Sequence, residues 1–379
     1  MANPFYLQEV PVDAPFCNRE KELKELRSYA EARANVVLFS PRRYGKTSLV
    51  KRIQRRLKDG GAIPIFADLF GIASVDDVAA RLAKAVFAVT HQKESFWKAA
   101  LRTIRSFRPV LKPDPEGGVS LSVEPSSVGR TGPRLLEETM ESLGAFIKDT
   151  EGLIHVALDE FQEIVVLREA PQIEGIMRAQ IQQQAASYFF IGSRRRILLG
   201  IFNDRQRPFF QSAINYPLEP LIPKELARFI ESQFREGGRK CSLALAERMV
   251  SRVRSHPYYA EKLAFFLYAH SKTITEEVVQ KEMERLISSE RPVFEAIIQG
   301  LAPQQRLLMQ ALAVEPTQKV FSIPYIRRHG LGSLGGVQHS MRHLEGLDLI
   351  EREEERGLNR MVDPVLEIWL RKQGEERIP

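Results

Sequence analysis

The sequence predicts an α/β protein: a five-stranded parallel sheet with helices on both faces, then a helical segment, then a closing winged helix-turn-helix. Three observations carry this. Short apolar runs at 35–39, 63–69, 153–158, 188–192 and around 214–218 alternate with helical patterns. The first run turns into Gly45-Lys46-Thr47 and a helix, and the third ends in Asp159-Glu160. From Pro223 onward the pattern is purely helical until a short hairpin near the C-terminus.

Residues 1–18 read as extended, because Pro4, Pro11 and Pro15 forbid a long helix. Asn18 is a suitable N-cap for a charged helix from Arg19, in which Leu23 and Leu26 share a face. The first strand then leads through Ser40-Pro41-Arg42-Arg43-Tyr44-Gly45-Lys46-Thr47-Ser48 into a helix running to about Lys58, which Gly60-Gly61 terminates. Strand, loop with Gly-Lys-Thr, helix is the phosphate-binding P-loop. Consecutive backbone N–H groups at a helix N-terminus make a concave anion site, which the helix dipole reinforces. In this reading Ser40 to Ser48 cradle a nucleotide, Lys46 reaches the β- and γ-phosphates, and Thr47 binds Mg²⁺. Gly45 keeps the cradle open, since a side chain there would obstruct the phosphates. Ser40 stands where the motif ordinarily has its first glycine.

A second strand at 63–69 and a helix at 75–89 follow, the latter with Val78, Leu82 and Val86 at helical spacing. Residues 91–132 read as an insertion. Turn-rich stretches at 112–118 and 125–129 flank a short alternating strand, Val119-Leu121-Val123, as in a surface hairpin. Lys112-Pro113-Asp114 is a poor guanine-reading motif, because no apolar strand precedes it, so ATP is favoured over GTP.

A helix at 135–150 leads to the strand Leu153 to Leu158, tipped by Asp159-Glu160-Phe161-Gln162. This is a Walker B arrangement. Asp159 is placed to hold Mg²⁺ near Thr47, and Glu160 to orient and polarise the attacking water. Taken alone, the pair would also fit an ordinary strand-to-loop transition. A helix at 172–185 and a strand at 188–192 end at Ser193-Arg194-Arg195-Arg196, and a short strand near 214–218 completes the sheet.

The helical part divides at Gly237-Gly238, His256-Pro257 and Thr273 into helices near 223–236, 243–254, 257–270 and 274–288. Helices at 303–313, near 323–329 and at 333–345 precede strands at 349–352 and 360–363, which bracket a turn at Arg356-Gly357. Three helices and a hairpin make a winged helix. The candidate reading helix offers Gln338, His339, Arg342 and His343. Residues 300–379 nevertheless carry eleven Lys/Arg against eleven Asp/Glu, with Glu351, Glu353, Glu354 and Glu355 on the hairpin. An acidic wing repels phosphate, so counterion release is small and a protein partner is favoured over DNA.

Composition bounds the rest. Lys and Arg number 55 against 48 Asp and Glu, and thirteen of the former lie in residues 1–60, around the phosphate loop. That excess is too modest to imply nucleic acid. Cys17 and Cys241 cannot build a disulfide framework, and no apolar run is long enough for a membrane helix. Met1-Ala2-Asn3-Pro4-Phe5 has no signal-peptide pattern, so a soluble, cytoplasmic protein without a membrane partner is expected.

The chain resembles the archaeal-type ATPases of the P-loop superclass, related to AAA+ and STAND NTPases. The features that carry the resemblance are Phe16-Cys17-Asn18-Arg19-Glu20, the loop Pro41 to Leu49, Leu158-Asp159-Glu160-Phe161-Gln162, Ile191-Gly192-Ser193, Pro208-Phe209-Phe210, His256-Pro257-Tyr258 and Asp363-Pro364…Trp369-Leu370-Arg371. The resemblance implies a P-loop NTPase core at 1–221 with strand order 5-1-4-3-2, a helical lid at 222–299 and a winged helix at 300–379. By the resemblance Ser193 is a γ-phosphate sensor, and Arg194 or its neighbours Arg195 and Arg196 stabilise transition-state charge. The reading these features favour is a nucleotide-dependent conformational switch that binds ATP and ADP and hydrolyses ATP. Pro257 matches the adenine-contacting lid motif of STAND proteins, although Ser255 occupies its glycine position. The arginine run also fits a solvated loop, and Pro257 also fits the first turn of a helix. Two alternatives stand beside the switch: a DNA-binding regulator using ATP as a structural ligand, and a nucleotide-gated protein scaffold.

Overall fold

Alternation along single strands divides the N-terminal half into two apolar layers. In β1 (Val36–Phe39), Val36 and Leu38 face one layer while Val37 and Phe39 face the other. The same period of two sends Phe189 and Ile191 of β6 (Ser187–Gly192) to the first layer, and Tyr188 and Phe190 to the second. Both strands are therefore buried on both faces, as a parallel sheet requires. The protein is described here from a computed structural model, which covers residues 3–90, 98, 104, 106–113, 119–126, 131–353 and 356–375.

The remaining strands of the sheet are β2 (Ile63–Asp68), β5 (Ile154–Asp159) and β7 (Ile214–Pro217). The order across the sheet is β2-β5-β6-β1-β7, all parallel. Counted along the sheet strands alone, from the other edge, this is 5-1-4-3-2. Register pairs Leu38 with Ile191 and Leu158 with Phe190, so the tips of β1, β5 and β6 emerge side by side. Ligand sites of parallel sheets form at such C-terminal tips. Helices α1 (Glu20–Glu31) and α2 (Lys46–Asp59) cover the first layer. The second lies under α3 (Val75–Thr90), α4 (Pro133–Lys148), α5 (Ala170–Ile181) and α6 (Arg195–Asn203).

Within the expected insertion, β3 (Phe107–Pro113) pairs antiparallel with β4 (Val119–Pro125) as a separate two-stranded sheet. The first of these strands corrects the reading that no apolar strand precedes Lys112-Pro113-Asp114; its Pro109 and Pro113 are accommodated because a two-stranded ribbon has only edges, where proline is tolerated. The turn at 114–118 and residues 127–129 lie outside the described residues.

Helices α7 (Pro223–Glu236), α8 (Leu243–Arg252), α9 (Pro257–His270) and α10 (Glu276–Gln299) are followed by α11 (Pro303–Val314), α12 (Ile323–Arg328), α13 (Leu334–Gly346), the hairpin β8 (Ile350–Arg352) with β9 (Asn359–Met361), and α14 (Pro364–Glu375). One continuous apolar cluster runs through all of them, from Leu226 to Leu370. It also takes in Phe5 and Cys17 from the N-terminal segment, with Phe5 packed 5.1 Å from the Phe234 ring.

Two local expectations are corrected. Asn18 does not cap α1: it has a φ of +24°, and Arg19 occupies the N-cap without a side-chain cap bond. Helix α10 runs through Pro292 to Gln299 instead of stopping near residue 288. Burial of Glu290 and Phe294 outweighs the one backbone bond that Pro292 forfeits, and Phe294 packs 5.7 Å from Trp369 of α14. Among the described residues no helix is long and apolar enough to cross a membrane.

Candidate nucleotide site

The turn between β1 and α2 is built on two residues of positive φ, Arg43 at +64° and Gly45 at +82°. Glycine holds the second conformation at no steric cost. A Cβ placed on Gly45 would meet no protein atom within 4 Å, so the space beside it is open. Lys46 folds back over the turn and donates from Nζ to the Ser40 carbonyl at 3.1 Å, Ser40 Oγ at 3.3 Å and the Pro41 carbonyl at 3.0 Å. Burial pushes its ammonium down from 10.5 to about 8, against the pull of Glu160 and Asp159. A buried cation surrounded by neutral oxygens is a receptor for an anion.

The acidic pair sits beside it. Thr47 Oγ1 donates to Asp159 Oδ2 at 2.7 Å, and burial holds the Asp159 carboxyl above its ordinary range. Glu160 follows at φ +51°, with its N–H donating to Asp159 Oδ1 at 3.0 Å. Ser193, buried at the tip of β6, donates from Oγ to Glu160 Oε2 at 3.1 Å. Gln162 Nε2 donates to the same oxygen.

Lys46, Thr47, Glu160 and Ser193 line a cavity of about 510 Å³, bounded also by the rest of Arg42–Ser48, Pro257 and Tyr258. A further wall is the bent segment Tyr6–Val10, fixed by Val10 N–H on Ser48 Oγ at 3.2 Å and by Lys51 on Glu9 at 2.6 Å. Glu261 also lines it, its carboxyl pushed up to about 7 by burial. Behind Pro257, the buried His256 ring meets Tyr44 edge-on at 4.9 Å, and burial lowers its imidazole to about 3, so it is neutral.

A second cavity, of about 620 Å³, lies between the outer side of the loop, α10 and the winged helix. Pro41 and Arg194 line this one and not the first, while Arg42, Arg43 and Ser193 line both. Arg194 is 3.9 Å from Glu163, Arg195 lies over the Phe39 ring, and Arg196 pairs with Glu345 of α13 at 2.7 Å. Arg43 lies over Tyr258 and 3.4 Å from Glu290, which also accepts from Tyr258 Oη at 3.0 Å and Lys262 Nζ at 2.7 Å.

Most residues singled out in the sequence thus converge on one cavity: Arg42–Ser48, Glu160, Ser193 and Pro257 line it, Ser40 and Asp159 sit behind it on Lys46 and Thr47, and Pro41 and Arg194 line the second cavity instead. Sequence reasoning missed the Tyr6–Val10 wall, Gln162 as a partner of Glu160, and Glu290. Only Gln162 left a signal, as the residue two positions after Glu160 in the Asp159-Glu160-Phe161-Gln162 stretch.

Residues 16–187 match the family model described as an ATPase domain predominantly from Archaea, and residues 292–372 match a probable winged helix domain. The chain thus carries an archaeal-type ATPase domain followed by a winged helix domain. Among solved structures, it is similar to the Walker-type ATPase of Pyrococcus abyssi, with a TM-score of 0.69 at 16% identity, covering 94% of this chain and 96% of that one. The Aeropyrum pernix ORC2 protein, solved in ADPNP–ADP complexes, gives 0.57 at 13% identity over 97% and 98%. The Aeropyrum pernix ORC1 protein, solved in complex with DNA, gives 0.50 at 16% over 97% and 94%. At such identities the likeness shows the fold. No curated protein matches the chain by sequence.

Proposed function

We propose that this chain, with its archaeal-type ATPase and winged helix domains, is a Mg²⁺-dependent ATPase working as a nucleotide-controlled conformational switch. The observation that carries the reading is the 2.7 Å bond from Thr47 to Asp159, with Lys46 and Glu160 lining the same cavity. The residues present fit a triphosphate and its metal. A phosphate oxygen gives the buried Lys46 the counter-charge it lacks, and a cation beside Asp159 offsets the burial that raises its carboxyl. Thr47 and Asp159 would hold Mg²⁺, which commonly takes one or two protein ligands and completes its shell with phosphate oxygens and water. When bound, it neutralises developing charge on the phosphates.

In this reading the loop amides from Arg42 to Ser48 receive the phosphates, and Tyr6–Val10, Pro257 and Tyr258 flank the base. Glu160 orients water and takes its proton, while Ser193 fixes the carboxylate. Arg194 would have to leave Glu163 and turn toward the first cavity to act. We assign 1–221 to the core, 222–299 to a lid and 300–379 to the winged helix. Arg43 to Glu290, then Phe294 to Trp369, link the loop through α10 to the winged helix, which supports transmission of the nucleotide state to a protein partner.

A second reading, a DNA-binding regulator, is favoured by the exposure of Gln338, His339, Arg342 and His343 on α13. Against it, the wing arginine Arg360 is already paired with Glu351 at 3.3 Å and Glu353 at 2.8 Å; Glu354 and Glu355 lie outside the described residues. Steady-state ATP turnover, with and without Mg²⁺ and with and without duplex DNA, tests the choice. Metal-dependent turnover indifferent to DNA supports the switch. Tight DNA binding without turnover supports the regulator.

A further inference from the structure

We propose that Gln162 is the positioning residue for Glu160, and that residue 192 is glycine so that Gln162 can take that place. The inference rests on Glu160 being the base of the proposed hydrolysis.

Glu160 begins a short 3₁₀ segment, Phe161–Val166, from a left-handed backbone conformation. Neither strand nor helix geometry directs its side chain, so hydrogen bonds must. Two donors, Gln162 Nε2 and Ser193 Oγ, converge on Oε2, which selects one rotamer and leaves Oε1 with no donor among the described residues. Gln162 is itself enclosed. It is fully buried, and its neighbour Phe161 is locked among Phe190, Phe202 and Phe209 with ring centroids 4.8 to 6.0 Å away.

The other end of the amide argues that stability is not its purpose. Gln162 Oε1 is buried without a hydrogen-bond partner, an arrangement that costs free energy and that an apolar side chain would avoid. What the amide supplies is its N–H to Glu160. Gly192 bears the same mark. Its φ is not positive, so backbone conformation does not demand glycine; a Cβ there would lie 2.0 Å from Gln162 Oε1 and 3.1 Å from its Cδ. Any side chain at 192 would push the amide off Glu160.

The test measures ATP Kd, kcat, KM and thermal midpoint for the full chain and for Gln162→Met, Gln162→Ala, Gly192→Ala, Gln162→Ala/Gly192→Ala and Glu160→Gln. We expect Gln162→Met to lose about 10²-fold in kcat, the scale of a misplaced catalytic group, with KM and Kd within about twofold and the melting point unchanged or raised. Gly192→Ala should lose a similar factor. The double variant should be no slower than either alanine variant alone, because the two act on one contact. Gln162→Met turning over within about twofold of wild type would overturn the proposal, as would additive losses in the double variant. Should Gln162→Met misfold, the alanine pair still decides. Glu160→Gln separates the layers: its full activity would sink the hydrolysis reading and this one together. Its inactivity beside a fully active Gln162→Met would sink the positioning role alone.

Discussion

Arg43, at the apex of the phosphate loop, lies 3.4 Å from Glu290 of α10, a residue that is 3% exposed and also bonded to Lys262 and Tyr258. The two cationic partners of Glu290 differ in burial. Arg43 is half exposed, whereas Lys262 is buried. Removing one member of a buried pair strands the other charge, which costs about 3–5 kcal/mol, while an exposed pair contributes about 0–1 kcal/mol. Glu290→Ala should therefore lower stability by several kcal/mol and Arg43→Ala by less than about 1 kcal/mol. Denaturant unfolding monitored by circular dichroism reads both. Equal losses would mean that Arg43, not Lys262, is the partner that matters.

The pH dependence of ATP binding follows from Lys46. Burial lowers its ammonium from 10.5 to about 8, so the free protein holds the proton at neutral pH and releases it above about pH 8. Phosphate binding requires the charged form. Affinity should be flat up to about pH 7.5 and then fall, by up to about tenfold per unit, until other groups intervene. Proton uptake should accompany binding near pH 8.5. Titration calorimetry in two buffers of different ionisation enthalpy measures both, and Lys46→Ala should abolish measurable binding. A flat affinity to pH 9.5 would show that Lys46 is not the receptor.

The winged helix should bind duplex DNA weakly. Arg360 is spent on Glu351 and Glu353, and Arg196 of the core holds Glu345 at the end of α13. The full chain should show non-specific affinity of about 10⁻⁴–10⁻⁶ M at physiological salt, and Arg342→Ala should change it by less than about threefold. The whole chain is the right sample, since Phe294 of α10 covers Trp369 and a fragment from residue 300 would expose it. Nanomolar, sequence-selective binding lost in Arg342→Ala would favour the DNA regulator instead.

What the sequence made legible was local. The loop from Ser40 to Ser48 and the Asp159-Glu160 pair announce themselves because each motif lies within one strand-to-helix or strand-to-turn transition. Their meeting across the sheet follows from parallel strands whose tips share an edge. Long-range contacts left no such trace. Nothing periodic joins Arg43 to Glu290 or Phe5 to Phe234, and the two donors on Glu160 come from different strand ends. At Pro292 the local signal pointed the wrong way: proline reads as a helix end, but tertiary burial of Phe294 against Trp369 carries the helix on. Asn18 failed similarly, its capping propensity overridden when Arg19 buried its guanidinium on the Glu219 carbonyl at 2.7 Å.

The central claim is that Glu160 activates water for hydrolysis in a cavity lined by Lys46 and by Thr47, which is bonded to Asp159. Single-turnover hydrolysis of Mg-ATP by Glu160→Gln, with binding followed in parallel by calorimetry, tests it most directly. The amide keeps the shape of the carboxylate and can still accept from Ser193, but it cannot take a proton from water. We predict wild-type ATP affinity with the hydrolysis rate reduced by about 10²–10⁴-fold. Hydrolysis at the wild-type rate would contradict the account and remove Glu160 from the chemistry.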